Sequence, residues 1–174
     1  NKVRLVGELL AVCVGGSRAL AEDVVDEVFA NIEELEPVTD MLSARAPDTP
    51  LVHEEWGDNV FLETKVDTGV EDALASAPVK ISRRLRMSRQ CMAPLEGRGV
   101  VAEWNHRRQQ LVVYTSTQIP HIVRTGLAEC LGLDESSVRV VAPDVGGGFG
   151  YKAILLPEEL VVCWLALRLH RPVR

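Results

Sequence analysis

The chain has 174 residues, of which 47% are hydrophobic and 25% are charged. This balance is typical of a globular protein with a core of its own and excludes a disordered chain. The net charge is −6, from 19 Lys and Arg residues against 25 Asp and Glu residues. No basic cluster indicates a nucleic-acid or anionic-membrane surface. No apolar run reaches the roughly 18 residues that a membrane-spanning helix needs.

Four cysteines lie far apart in the sequence and form no C-x-x-C pair, and the four histidines show no metal-ligand spacing. A zinc or iron–sulfur site held by residues of this chain is therefore not expected. The thiols are interpreted as reduced and mostly buried, which predicts a cytoplasmic protein. The chain begins in strand-like sequence, without a signal peptide, and ends just after a helical pattern. We interpret it as a piece of a longer protein.

The first third of the chain contains predicted strands, one predicted helix and a connector. Two apolar runs, at 3–6 and 9–14, predict short strands. Ser17 is a favoured N-cap and predicts a helix that extends to about Phe29. Segment 41–60 lacks periodicity and contains several turn-forming residues, so it is interpreted as a connector between structural units.

The middle of the chain predicts one more helix and three more strands. A short helix is predicted over 70–78, and alternation of apolar residues over 79–88 predicts a strand. The apolar runs at 98–104 and 110–116 predict two further strands, joined by a polar hairpin region.

The last third predicts a strand between two helices. The first helix begins at Pro120, a favoured first helical residue, and ends at Leu131, before the stop signal Gly132. A strand is predicted over 137–143, and a second helix begins at Pro157. The predicted order of elements in the last third is strand, helix, strand, glycine-rich loop and helix.

Acidic side chains near these elements are interpreted as structural. Glu158 and Glu159 fall in the first turn of the last predicted helix, where solvated acids suit the positive end of the helix dipole. Glu96 is interpreted as a turn carboxylate that pairs with Arg98. No pair of carboxylates and no Ser, His and Asp grouping predicts an acid–base or nucleophilic site.

The segment PDVGGGFGYK, at 143–152, has four glycines in five residues with Phe149 among them. It lacks the Lys-Ser or Lys-Thr ending of a phosphate-binding loop, because Tyr151 precedes the lysine and Ala153 follows it. Its match to a dinucleotide-binding fingerprint is partial and weak. A tight strand-to-helix connection would explain the glycines. It would not explain Phe149, which suggests a wall beside a flat or buried group that the backbone approaches.

Four segments in a fixed order resemble one family. VGGGFGYK, at 145–152, is similar to the glycine-rich molybdopterin motif of the xanthine dehydrogenase and aldehyde oxidase family. YTSTQIPHIVRTGLAECLGLDESSVRVVAPD, at 114–144, and MAPLEGRGVVAEW, at 92–104, resemble the segments that precede this motif in the large, molybdenum-binding subunit. The opening VRLVGELLAVCVGGSRALAEDVVDEV resembles the end of the domain before it.

The resemblance implies an α+β fold with a defined domain order. Residues 1–40 correspond to the C-terminal part of an α/β hammerhead domain, 41–60 to the connector, and 61–174 to the N-terminal part of a mixed molybdopterin-binding domain. The implied cofactor is molybdenum–molybdopterin, in its cytosine dinucleotide form. The implied partners are an iron–sulfur subunit, an FAD subunit and a small-molecule substrate, in a dimer of heterotrimers.

The implied activity is the hydroxylation of aldehydes or N-heterocycles with oxygen from water, or the oxidation of carbon monoxide in a related branch. Gln118 matches the glutamine whose amide faces an oxo ligand of molybdenum, and its NH2 group can donate there. Phe149 matches the aromatic residue that borders the metal. The glycines that would let the backbone run against the cofactor are Gly147, Gly148 and Gly150.

No catalytic residue is expected within the chain, because the resemblance places the general-base glutamate downstream of it. Ala153 departs from the purine hydroxylases, which carry a substrate-contacting glutamate at this position, and so argues against a purine substrate. The alternative function is a non-catalytic split or degenerate subunit that acts as an assembly or binding module.

Overall fold

The computed structural model describes residues 2–66 and 68–174. The chain divides into two compact units, Asn1–Arg86 and Met87–Arg174. Helices and strands both occur, which confirms the α+β class in its coarse form. Within the described ranges, every helix is too short or too polar to cross a membrane.

The first unit consists of short helices and extended segments. Its helices are α1, Arg18–Asp26, and α2, Val70–Ser76, with single 3-10 turns at Ser43–Arg45 and Glu54–Trp56. Ser17 caps α1 as predicted, and its side chain accepts a hydrogen bond from the Leu20 N–H at 3.3 Å. The helix ends at Asp26, before the predicted end near Phe29.

The strands predicted at 3–6, 9–14 and 79–88 are wrong, because none of these segments forms a strand in the structure. Alternating apolar residues favour an extended backbone, but a strand also needs a neighbouring strand to pair its N–H and C=O groups. Ile81 and Leu85, on the predicted apolar face, are 80% and 88% exposed. Segments 3–6, 9–14 and 79–88 therefore have neither the ladder nor the burial of a paired strand.

The second unit is built on a three-stranded sheet with the order β1-β2-β3. Its elements in chain order are β1 Val100–Asn105, β2 Gln110–Thr115, α3 Pro120–Leu131, β3 Val138–Val141 and α4 Pro157–Leu169. β1 and β2 are antiparallel, as the predicted hairpin requires, and β2 and β3 are parallel. A strand, helix, strand and helix order was predicted for the last third and is confirmed.

The core of this unit lies where α3 and α4 pack against the sheet. Pro120 begins α3 and Gly132, at φ 66°, closes it, as the sequence predicts. The side chains of Leu111, Val123 and Leu127 are fully buried. Burying each such side chain contributes about 1.5–3 kcal/mol.

The parallel pairing of β2 and β3 brings distant residues to one edge of the sheet. Carboxyl ends of parallel neighbours lie at the same edge, and ligands commonly bind outside that edge. The turn that contains Gln118 follows β2, and the glycine-rich segment follows β3. The topology therefore places Gln118 beside the glycines, although about 30 residues separate them in sequence.

Candidate functional site

The candidate site is built around the glycine loop, which we define as residues 146–152, between β3 and α4. Gly147, Phe149 and Gly150 have φ values of 93°, 53° and 87°. Glycine adopts this left-handed region without a steric penalty, whereas Phe149 adopts it at a cost of about 1–2 kcal/mol. The positive φ values explain why glycine occupies positions 147 and 150 of this short connector.

Two other glycines allow close approach to side chains of the same chain. A Cβ at Gly148 would lie 2.4 Å from Gln118 Oε1, and a Cβ at Gly146 would lie 2.6 Å from Glu96 Cβ. Both distances are far below ordinary contact. At these positions the backbone therefore needs glycine to pack against Gln118 and Glu96. At Gly150, in contrast, a Cβ would meet nothing within 4 Å.

Gln118 is held at two points and keeps its amide NH2 group available. Its backbone N–H donates to the Lys152 carbonyl at 3.0 Å, and its side-chain Oε1 accepts from the Gly150 N–H at 3.1 Å. In the described ranges, Nε2 has no hydrogen-bond partner, and the residue is exposed. Since the oxygen is occupied by the loop, the carboxamide has a fixed direction and presents a neutral donor outward.

Phe149 presents its ring to the outside of the loop. The side chain is 70% exposed although its backbone is strained. Burial therefore does not offset the strain, as it would for an aromatic residue of the core. A residue held in an unfavourable conformation with its ring exposed is typical of a binding surface.

Glu96 and Lys152 are the site residues that sequence reasoning missed. Lys152 Nζ lies 2.6 Å from Glu96 Oε1, and the lysine side chain is fully buried while that of Glu96 is 39% exposed. The Ser116 hydroxyl donates to the same oxygen. The Gly146 N–H donates to Glu96 Oε2 at 2.9 Å. The sequence signal that could have found this pair is the lysine after the glycines, because a buried ammonium group requires a partner.

These bonds hold the Glu96 carboxyl group ionised. The hydrogen bond from Lys152, together with those from the Ser116 hydroxyl and the Gly146 amide, lowers the pKa of Glu96 from 4.5 to about 2. The interpretation of Glu96 as a partner of Arg98 is wrong. Arg98 instead donates to the Tyr151 carbonyl, and its guanidinium lies 5.0 Å from the centre of the Tyr151 ring.

Glu159 also differs from its sequence interpretation as a solvated acid, because its side chain is 4% exposed. Its Oε1 accepts from the Thr115 hydroxyl at 2.5 Å and its Oε2 from the Leu156 N–H at 2.9 Å. The side chain caps the first turn of α4 and joins it to the end of β2. Glu158 is exposed, as interpreted.

The residues proposed from sequence to contact a cofactor are adjacent in the structure. Gln118 packs against Gly148 and bonds to Gly150, and the Phe149 ring lies close to Gly147. The arrangement offers an outward neutral donor, an exposed ring and a backbone without side-chain bulk at Gly150. These features fit a ligand that approaches the backbone closely and accepts a hydrogen bond from an uncharged donor.

Comparison with known families identifies the class of protein. The molybdopterin cofactor-binding domain family matches residues 52–174, which is more than half of the chain. The chain therefore belongs to this family, and its motif-based resemblance to the large subunits of molybdenum hydroxylases is confirmed.

Individual relatives agree with this assignment. The chain is 38% identical over 173 residues to the nicotine 6-hydroxylase large subunit of Paenarthrobacter nicotinovorans, covering 99% of this chain and 21% of the relative. It is 33% identical to the carbon monoxide dehydrogenase large chain of Hydrogenophaga pseudoflava, covering 100% of this chain and 23% of that one.

A crystal structure of quinoline 2-oxidoreductase from Pseudomonas putida 86 has the same fold. It matches with a TM-score of 0.79 and 38% identity over 91% of this chain and 20% of that chain. The chain thus spans about a fifth of the length of these relatives.

Proposed function

We propose that this chain forms part of the site for a molybdenum–molybdopterin cofactor in the large subunit of an oxidoreductase. The residues that would face the cofactor are Gln118, Gly147, Gly148, Phe149 and Gly150. Membership of the molybdopterin cofactor-binding domain family supports the choice of cofactor.

The observation that carries the proposal is the arrangement of the Gln118 carboxamide. The loop that holds its oxygen, through the Gly150 N–H at 3.1 Å, is the same loop that matches the molybdopterin motif. The NH2 group has no hydrogen-bond partner among the described residues and remains available to a ligand. A donor oriented before the ligand arrives costs no reorganisation when charge develops, which is the basis of electrostatic catalysis.

When bound, the cofactor supplies the molybdenum redox centre at which a substrate is oxidised. Gln118 and Phe149 would lie near the metal without coordinating it. Gln118 would donate a hydrogen bond towards the metal centre, and the ring of Phe149 would border the space that a substrate enters. The glycine loop would allow its backbone to approach the cofactor closely. We expect the general-base glutamate to lie outside this chain, so these residues bind and orient.

For the whole protein we propose hydroxylation of aldehydes or N-heterocycles, or oxidation of carbon monoxide, with oxygen derived from water. The names of the relatives include a nicotine hydroxylase and a carbon monoxide dehydrogenase, which supports this range. Ala153, at the position of the glutamate in purine hydroxylases, argues against a purine substrate. The cofactor would be the cytosine dinucleotide form.

The proposed assembly contains an iron–sulfur subunit and an FAD subunit, which would receive the electrons, in a cytoplasmic dimer of heterotrimers. That relatives are named as large subunits or large chains supports a complex of several subunits. The proposed domain order is the end of an α/β hammerhead domain at 1–40, a connector at 41–60 and the first part of the molybdopterin-binding domain at 61–174.

The test uses the full-length protein encoded by the gene, produced with its partner subunits in a host that makes the cofactor. Molybdenum is measured by mass spectrometry and pterin by fluorescence after release, for the wild type, Gln118→Ala and Phe149→Ala. Gln110→Ala is the matched control, because Gln110 lies at the start of β2 and Gln118 beyond its end.

We expect about one molybdenum and one pterin per wild-type chain. Gln118→Ala should retain both and lose roughly 10²-fold in kcat, the typical effect of removing one preorganised donor. Gln110→Ala should behave as the wild type. A folded wild-type complex without molybdenum or pterin would refute the proposal and favour the assembly-module alternative.

A further inference from the structure

The Glu96–Lys152 ion pair has no role in the function proposed above, yet it occupies a central place in the loop. The Lys152 side chain is fully buried, and its ammonium group is 2.6 Å from Glu96 Oε1. A buried ammonium group without a partner would be strongly unfavourable. The position of Glu96 therefore fixes where the end of the glycine loop can lie.

The same carboxylate also binds the beginning of the loop. Glu96 Oε2 accepts from the Gly146 N–H at 2.9 Å, and the Glu96 N–H donates to the Gly146 carbonyl at 3.3 Å. One side chain thus joins the two ends of the loop, which are six positions apart in sequence. The intervening backbone, which includes three residues with positive φ, is held closed from outside the loop.

The C-terminal end of the loop is in turn bonded to Gln118. The Lys152 carbonyl accepts from the Gln118 N–H at 3.0 Å and from the Thr117 hydroxyl at 3.2 Å. The Gly150 N–H, two residues before Lys152, donates to Gln118 Oε1 at 3.1 Å. The Glu96 carboxylate is therefore linked to the Gln118 carboxamide through the Lys152 ion pair, the covalent chain of residues 150–152 and the Gly150 hydrogen bond.

We propose that Glu96 is a positioning residue, which acts through Lys152 and the glycine loop to fix the direction of the Gln118 amide. This inference rests on the proposed function, because the amide matters only if it faces the cofactor. Glu96 does not act as a general base. Both of its oxygens already accept hydrogen bonds, and a carboxylate whose pKa is lowered to about 2 is a weak base.

The experiment uses the full-length holoenzyme and compares Glu96→Gln, Lys152→Met and Gln118→Ala with the double variant Glu96→Gln/Gln118→Ala. The matched control is Glu159→Gln, which alters a buried carboxylate of the same unit whose partners lie outside the loop. The readouts are molybdenum content, the EPR spectrum of the molybdenum centre, kcat and KM.

A further readout does not depend on activity: hydrogen exchange of the loop peptide in the cofactor-free protein. Glu96→Gln should speed exchange of this peptide and shift the EPR spectrum, while Glu159→Gln should do neither. We expect kcat to fall about 10–100-fold in Glu96→Gln and Lys152→Met, the effect of displacing a catalytic group by about 1 Å. Since Glu96 acts through Gln118, the double variant should be no slower than Gln118→Ala.

Two results would overturn the inference while leaving the proposed function intact. One is a molybdenum-loaded Glu96→Gln enzyme with wild-type loop exchange and EPR spectrum. The other is a double variant in which the two losses multiply. A wild-type complex without molybdenum overturns both proposals. If Glu96→Gln does not fold, Ser116→Ala removes one donor to Glu96 and keeps the ion pair, and it should produce the same changes to a smaller extent.

Discussion

Replacing Gly148 by alanine tests the close contact between the glycine loop and Gln118. The added Cβ would lie 2.4 Å from Gln118 Oε1, 2.5 Å from Cδ and 2.7 Å from Cγ, whereas ordinary contact begins at 3.4 Å. The carboxamide must therefore move by about 1 Å, because Gly148 and its neighbours are fixed by backbone bonds while Gln118 is exposed. This movement would break the bond from the Gly150 N–H.

The cost in folding free energy should be small. Gly148 does not have a positive φ, so alanine fits the backbone and stabilises by about 0.4–1 kcal/mol through the unfolded state. Loss of one hydrogen bond costs about 0.5–1.5 kcal/mol. The free energy of unfolding should therefore change by about 1 kcal/mol at most. In contrast, kcat should fall about 10–100-fold, since the donor is displaced by about 1 Å.

The assay compares kcat, molybdenum content and urea unfolding of the full-length enzyme. Gly97→Ala is the matched control, because its Cβ would meet nothing within 4 Å and its φ is not positive. In a Gln118→Ala background, Gly148→Ala should have no further effect on kcat. The reasoning is refuted if Gly148→Ala keeps wild-type kcat with full molybdenum, or if it slows the Gln118→Ala enzyme further.

Three further predictions concern stability and reactivity. The pKa of Glu96 falls from 4.5 to about 2 on folding, so its contribution to stability is complete above pH 4.5 and lost towards pH 2. The difference in Tm between wild type and Glu96→Gln should therefore become smaller from pH 4.5 to pH 2. A Tm difference that does not change with pH would contradict this. Burial, with the Glu159 charge, raises the pKa of Cys163 to about 12; peptide mapping should show thiol labelling at exposed Cys130 but at Cys163 only after unfolding. Glu159→Ala removes a helix cap and the partner of the buried Thr115 hydroxyl. The free energy of unfolding, measured in urea, should therefore fall by about 2–4 kcal/mol. A decrease below about 0.5 kcal/mol would refute the capping role.

The elements of the second unit could be predicted from sequence because their signals are local. Pro120 and Gly132 mark the two ends of α3, and the apolar residues between them follow a helical period. The strand signal at 79–88 was of a different kind. Alternation indicates an extended backbone, but whether a strand forms depends on a neighbour that the segment itself does not specify. The boundaries of α3 were therefore accurate, while strands were predicted where no ladder exists.

Part of the candidate site could also be predicted from the sequence. The glycine loop and Gln118 belong to motifs, and parallel strands bring them to one edge of the sheet. The partner of Glu96 could not be predicted, because Lys152 lies 56 residues away and only the folded chain defines that distance. Sequence proximity favoured Arg98 and gave the wrong pair. Long-range ion pairs follow from packing, which local patterns do not encode.

The residues of the glycine loop differ in whether the fold of the chain explains them. Gly147 and Gly150 are needed for their positive φ, and Gly148 for contact with Gln118, so these glycines are explained by the fold of the chain itself. The fold of the chain does not explain Phe149, because glycine would adopt its φ of 53° without the cost of about 1–2 kcal/mol that phenylalanine bears. Its ring is 70% exposed, so packing within the chain does not offset this cost. The strain at Phe149 therefore supports the proposal that its ring contacts a cofactor or substrate beside Gln118.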